Sequence, residues 1–157
     1  MTAKEFVKAI ASLKPTADEL AQHGLEGFFI EYTLRQYDIK RKSNAEHNDP
    51  LINLVINYDV STLDVNNISF QDIEEDDENL FFGSDTGPNM LALYKPSGRI
   101  VAYNLDTGEI LFHCAENSEK FLDALVEVMK FSTEKSRSNY TEEMRNARSK
   151  ELLTLRH

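Results

Sequence analysis

Along this chain the apolar positions change period about midway. Residues 3 to 13 place Phe6, Val7, Ile10 and Leu13 on one side of a helix, and Pro15 ends that segment. Thr16 with Glu19 three positions later predicts a capping box, in which hydroxyl and carboxylate satisfy the free amides of a second, short helix ending at Gly24. Residues 27–37 satisfy both periods. Phe28, Ile30, Tyr32 and Leu34 alternate like a strand, while Leu25, Phe28, Phe29, Tyr32 and Gln36 trace a helix stripe, and helix is the preferred reading. A polar loop from Lys40 to Asn48 follows. Asp49-Pro50 then supplies an N-cap and a first-turn proline for a helix over 51–58.

Beyond that helix the alternation becomes strand-like, starting with a short strand around Ile68 and Phe70. Asp72, Glu74, Glu75, Asp76, Asp77 and Glu78 come next with no basic residue among them, and such a self-repelling block predicts a loop outside the sheet. Residues 80–82, 90–94, 99–103 and 109–115 read as strands. The breaks between them hold Gly83, Gly87, Gly98 and Gly108, four of the six glycines of the chain. Lys95-Pro96-Ser97-Gly98 has proline second and glycine fourth, as a type I turn prefers. Strands joined this tightly form an antiparallel meander. Residues 90–94 are apolar throughout and 109–115 nearly so, which predicts cover on both faces of these strands. Ser118 then offers an N-cap for a helix whose stripe is Phe121, Leu122, Leu125, Val126, Val128 and Met129. The expected fold class is α+β, an antiparallel β-meander sheet packed by N-terminal helices and one C-terminal helix, with one domain over 1–132. Residues 133–157 read as a helical extension, in which Thr141 can cap a helix carrying Met144, Ala147, Glu151 or Leu152, and Leu155 every three or four residues.

Composition narrows the class. A chain of 157 residues with 41% hydrophobic positions can bury a core without disulfides or metal, and the single Cys114 cannot form an intramolecular bridge. The N-terminus has no continuous apolar run and no later segment approaches the length of a membrane span, so a cytoplasmic protein with no membrane role is expected. Net charge is -10, but from Thr133 onward six Lys or Arg face four acids, which leaves residues 1–132 at -12. An acidic body repels phosphate backbones and attracts basic proteins. No nucleic-acid partner is expected.

The order of motifs between Phe82 and Leu122 resembles one family. Phe82-Gly83, Gly87, Met90 to Leu93, Pro96-Ser97-Gly98, Val101 with Tyr103, Asp106 to Ile110, and Ser118 with Phe121-Leu122 are similar to the SUKH superfamily of Smi/Knr-like cell-wall regulators and bacterial immunity proteins. The resemblance extends over residues 50–131. The family's N-terminal helix signature is echoed only by Phe29, Tyr32 and Leu34, without its proline. The resemblance implies a non-enzymatic binding module with Gly83, Gly87, Gly98, Tyr103, Gly108 and Phe121 as structural motif positions. It also implies a protein partner, and for bacterial members that partner is a toxin such as a basic nuclease or deaminase, neutralised by direct binding. A Smi/Knr-like regulatory or scaffold role without a toxin is the alternative.

Four groups invite other chemistry. Asp85-Thr86-Gly87 and Asp106-Thr107-Gly108 repeat the triplet of aspartic proteases, in which two close carboxylates share a proton; but both sit where turns require Asp and Gly, so a hydrolase is only a remote alternative. His113 beside Cys114 suggests a nucleophile pair, yet neighbours on a strand point to opposite faces, and a buried structural Cys114 is expected. His23, His47 and His157 lack metal-ligand spacing. The acidic run lacks the spaced Asp, Asn and Gly of a calcium loop. No catalytic residue, metal or cofactor is expected, and the candidate partner-binding residues are Asp72, Glu74, Glu75, Asp76, Asp77 and Glu78. Monomer and homodimer both remain open.

Overall fold

The computed structural model describes residues 1–85 and 87–134. The helix expected from Thr141 onward lies outside the described residues. Helix α1 (Ala3–Ser12) starts where the Thr2 hydroxyl accepts the Glu5 amide, and it buries Ala3, Phe6 and Ile10. Helix α2 (Ala17–Gln22) starts in the same way, with Thr16 accepting the Glu19 amide at 3.1 Å as the spacing predicted. Helix α3 (Gly27–Arg35) resolves the double period in favour of helix. The stripe it turns inward differs from the expected one: Ile30, Thr33 and Leu34 are half-buried and Tyr37 is buried, while Phe28, Phe29 and Tyr32 face out. Apolar residues occupy more than one side of this helix, so periodicity alone does not choose the inner side.

Helix α4 (Pro50–Asn57) is capped by Asp49, whose Oδ1 accepts the amides of Leu51 and Ile52 at 2.9 and 3.0 Å. The other oxygen, Oδ2, accepts the Ser118 hydroxyl at 2.7 Å. Ser118 is therefore the first residue of helix α5, described over 118–134, and Asn117 is its cap: Asn117 Oδ1 accepts the Lys120 amide at 2.8 Å. One carboxylate thus fastens together the starts of α4 and α5, 69 positions apart in sequence.

Six strands follow α4 in a single meander: β1 (Asp64–Val65), β2 (Ile68–Glu75), β3 (Asn79–Ser84), β4 (Asn89–Tyr94), β5 (Arg99–Asn104) and β6 (Glu109–Ala115). Every neighbouring pair is antiparallel and spatial order equals sequence order. The β4–β5 and β5–β6 hairpins share one loop geometry, closed by the pairs Tyr94 with Arg99 and Asn104 with Glu109. The Tyr94 carbonyl accepts both the Ser97 and Gly98 amides, and the Asn104 carbonyl accepts the Gly108 amide. The first turn therefore starts one residue earlier than the type I reading, because Gly98 must take φ +73° to bring the chain back into register; Gly108 does the same at +71°.

Among the described residues the helices cover one face of the sheet only. Phe6, Ile10, Leu51, Leu54, Phe121, Leu122 and Leu125 pack there with Phe70, Phe82, Leu91, Leu93, Ile100 and Ala102. On the other face Phe81, Ala92 and Val101 are buried by their own neighbours, because the small Ala92 lets the Phe81 and Tyr103 rings meet edge to face at 5.6 Å. This explains why the apolar run in β4 is buried on both sides. The same expectation fails for β6, where Leu111 and Phe112 are exposed. Among the described residues β6 is the last strand and has a neighbour on one side only, and an apolar run carries no information about edge position. Among the described residues no helix is long and apolar enough to cross a membrane.

Gly83 faces the backbone of β2, and a Cβ there would lie 2.2 Å from the Ser69 carbonyl oxygen, far inside van der Waals contact. Gly98 by contrast has open space around it and requires only its positive φ. Gly83→Ala is expected to lower the unfolding free energy by about 2–3 kcal/mol, the range of forced overpacking, and Gly98→Ala by about 1 kcal/mol, in urea titrations. Equal losses at the two positions would contradict this packing.

Candidate functional site

The acidic run was expected as a loop, which holds for Asp76, Asp77 and Glu78, but the structure corrects it for Asp72, Glu74 and Glu75. Asp72 to Glu75 belong to β2, Asp76 to Glu78 form the turn, and Asn79 opens β3. Glu74 pairs with Phe81 and Glu75 with Leu80. Two features overcome the repulsion. Ile68, Phe70 and Ile73 reach the helix-side core, anchoring the strand from within the acidic sequence. A cation also arrives from the next hairpin, where the Lys95 ammonium bonds the Glu75 carboxylate and the Asp76 carbonyl while its backbone amide donates to the Glu78 carbonyl at 2.7 Å. The absence of a basic residue inside the run was therefore a misleading local signal.

The turn is organised by Asp76. Its Oδ1 accepts the Glu78 and Asn79 amides at 2.9 and 2.7 Å, and its own amide donates to the Asn79 carbonyl at 3.0 Å. The Glu78 amide above all holds this carboxyl below the usual aspartate value of 3.8; desolvation opposes it, and the Asn79 hydrogen bonds and the charge of Lys95 add to the lowering. Asp72 is 97% exposed and lies 3.6 Å from Lys42 Nζ, a pairing that water screens almost fully. All six acidic side chains are exposed. The result is an ordered ribbon of negative charge at one margin of the sheet, with Glu74 opposite Phe81 on the face that none of the described helices covers.

The family-motif positions fall elsewhere and hold the scaffold. Phe121 is buried against Phe82 with ring centroids 5.5 Å apart. Tyr103 covers Ala92 from β5 and brings its hydroxyl near Gly108. Gly87 donates its amide to Asp85 Oδ1 at 2.9 Å. Gly83, Gly98 and Gly108 serve the close approach and the two hairpins described above.

The reactive-looking groups do not converge with the ribbon. Asp85 uses one oxygen for Gly87 and the other for the Asn89 side chain at 3.2 Å, which is turn chemistry. In the other triplet the Asn104 side chain organises the turn by accepting the Asp106 and Thr107 amides. Cys114 is exposed, which corrects the expectation of a buried thiol; β6 is an edge strand and its ladder shifts register beside this residue. Strict alternation therefore does not hold at His113 and Cys114, but no hydrogen bond joins them. Partial desolvation, followed by the charge of Asp85, raises the Cys114 pKa, the opposite of an activated nucleophile. Among the described residues no three His, Cys, Asp or Glu side chains gather as a metal site.

Three features were missed by the sequence reading. Asn57 is buried and fully bonded, with Nδ2 donating to the Ala45 carbonyl and Asn53 Oδ1 and with Oδ1 accepting the Ser43 hydroxyl, so it holds the polar loop in place. Lys95 was read only as a turn residue, and nothing in its local sequence signals that it reaches Glu75 and Asp76. Phe28, Phe29 and Tyr32 were read only as part of a helix stripe, with nothing to mark them as outward-facing.

The depressed pKa of Asp76 has a defined pH signature. A carboxyl with a folded value below its unfolded one adds stability that is present above the unfolded pKa and lost as pH falls through the folded pKa. The pH-dependent advantage of the native protein over Asp76→Ala is therefore expected to be complete at neutral pH, to decline as pH drops below about 3.8, and to vanish once Asp76 is protonated in the fold. Urea unfolding of both proteins across that range checks it, and a difference independent of pH would contradict the charged-turn account.

No protein-family model, no curated protein and no solved structure matches this chain.

Proposed function

We propose that this chain is a non-enzymatic, SUKH-like binding module acting in the cytoplasm, and that it neutralises a basic toxin of the nuclease or deaminase type by direct contact. One observation carries the reading: six exposed carboxylates stand on an ordered β-ribbon. Charge fixed in place on a rigid element attracts a basic partner without the ordering penalty that a mobile loop would incur on binding. The exposed carboxylates outnumber the two lysines beside them, so the ribbon keeps a net negative field. Its outer side also adjoins the apolar surface around Phe81 and Tyr103, which provides area for a complementary contact.

Capture of the partner from the native cell, followed by rescue of cells expressing it, is the functional experiment. Rescue supports the immunity role, whereas a partner with no toxic activity would shift the reading to the Smi/Knr-like regulatory role. The charge argument is tested separately. Glu74→Lys, Asp77→Lys and Glu78→Lys spare the Glu75, Asp76 and Lys95 contacts that hold the turn. Together they are expected to slow association with the basic partner by about tenfold or more at low salt and to flatten its salt dependence. An unchanged association rate in stopped-flow measurements would remove the ribbon from the binding site.

A further inference from the structure

The margin of the sheet formed by β2 is closed along only part of its length. Strand β1 pairs with β2 at Ser69 and Ile68 alone, so among the described residues the outer side of β2 from Phe70 to Glu75 has no neighbouring strand. Alternate residues of an antiparallel strand aim their backbone N–H and C=O away from the inner neighbour, and an open edge therefore offers a row of donors and acceptors. The β2–β3 ladder also shifts register between Phe70 and Glu74, which leaves further backbone groups there without a ladder partner. Among the described residues, none of 71–75 makes a backbone hydrogen bond outside the ladder. Beside this edge lies a hollow of about 40 Å³. Val55, Val60 and Phe70 give it apolar lining, and Gln71 and Asp72 of the edge strand border it.

We propose that the open edge of β2 takes an extended, basic segment of the protein partner as an added β-strand. The inference rests on the partner-binding reading above and specifies how that contact is made. Charge selects the occupant. Asp72, Glu74 and Glu75 project from the edge strand and Asp76, Asp77 and Glu78 from its turn, all of them exposed. Lys42 pairs with Asp72 and Lys95 with Glu75. Even with Lys40 and Arg41 of the adjoining loop included, six acids stand against four cations, and Asp59 adds another carboxylate beside Lys42. A second copy of this edge is repelled, because antiparallel pairing sets the acidic residues of one strand against those of the other. A strand rich in lysine or arginine meets opposite charge in the same geometry. Main-chain bonds supply affinity in such an addition, and alternate side chains supply selectivity, with one small apolar side chain suited to the hollow.

The test titrates the isotope-labelled full chain with an end-blocked heptapeptide of alternating lysine and valine at low salt, followed by backbone NMR. A control peptide of the same sequence has every amide N-methylated, which keeps the charge and removes the N–H donors. In the free protein, alternate amides among residues 71–75 are expected to exchange at nearly unstructured rates. The lysine–valine peptide is expected to slow them about tenfold or more and to give NOEs between its own backbone protons and those of β2. The N-methylated peptide is expected to bind about tenfold or more weakly, because it cannot complete a ladder. Equal affinity of the two peptides would reduce the contact to charge alone, overturning strand addition while leaving the acidic ribbon as a binding surface. Strand addition is also overturned if the lysine–valine peptide does not bind, or if all of these amides are already protected in the free protein, which means that the edge is filled. The rescue experiment above reads the toxin-neutralising role independently of these outcomes.

Discussion

The burial of Phe82 is the constraint on which the rest of this structure depends. Its ring lies fully buried between Phe70 of β2, 6.2 Å away, and Phe121 of α5, 5.5 Å away, so one side chain joins two strands and the last helix. Successive residues of β3 face opposite sides of the sheet, so Phe82 points towards the helices and Phe81 towards Tyr103. Gly83 makes the approach to β2 possible, because only a residue without Cβ fits beneath the Ser69 carbonyl. β2 is thereby held against β3. Its continuation, the acidic sequence, is carried into the sheet by the same packing.

From this follows the link between core and surface. Repulsion among adjacent carboxylates costs little when water screens it, whereas the apolar anchors Phe70 and Ile73 are paid back by burial. Lys95 then neutralises part of the charge at the turn, and Asp76 closes it with two amide bonds. The Asp49 carboxylate plays a comparable role on the helical side by capping α4 while holding Ser118 of α5. Both devices use one aspartate to fix two segments. The exposed charge on the ribbon is consequently presented in a set geometry.

Most of the architecture was legible in the sequence because its signals are local. Thr16 with Glu19, Asp49-Pro50, and the glycines at 98 and 108 are caps and turns whose chemistry acts within a few residues. The misreadings share a cause, which is that long-range placement decided the outcome. The first half of the acidic run became strand, held through Lys95 of another hairpin and through core contacts of Ile73. β6 is exposed because of its rank in the sheet, and the outward rings of α3 depend on which side meets α2. For the candidate site, the residue types were visible in the sequence but their order was not, since charge patterning describes a segment and not the partner strand that holds it.

The account stands on the acidic ribbon being a formed β-hairpin in the free protein. Backbone amide hydrogen exchange measures that property residue by residue. The amides of Asp76 and Lys95, bonded to the Asn79 and Glu78 carbonyls, are predicted to be protected well beyond the rates of unstructured peptides at neutral pH. Exchange of both at unstructured rates, with β4 and β5 still protected, would show a loop where this account requires a ribbon.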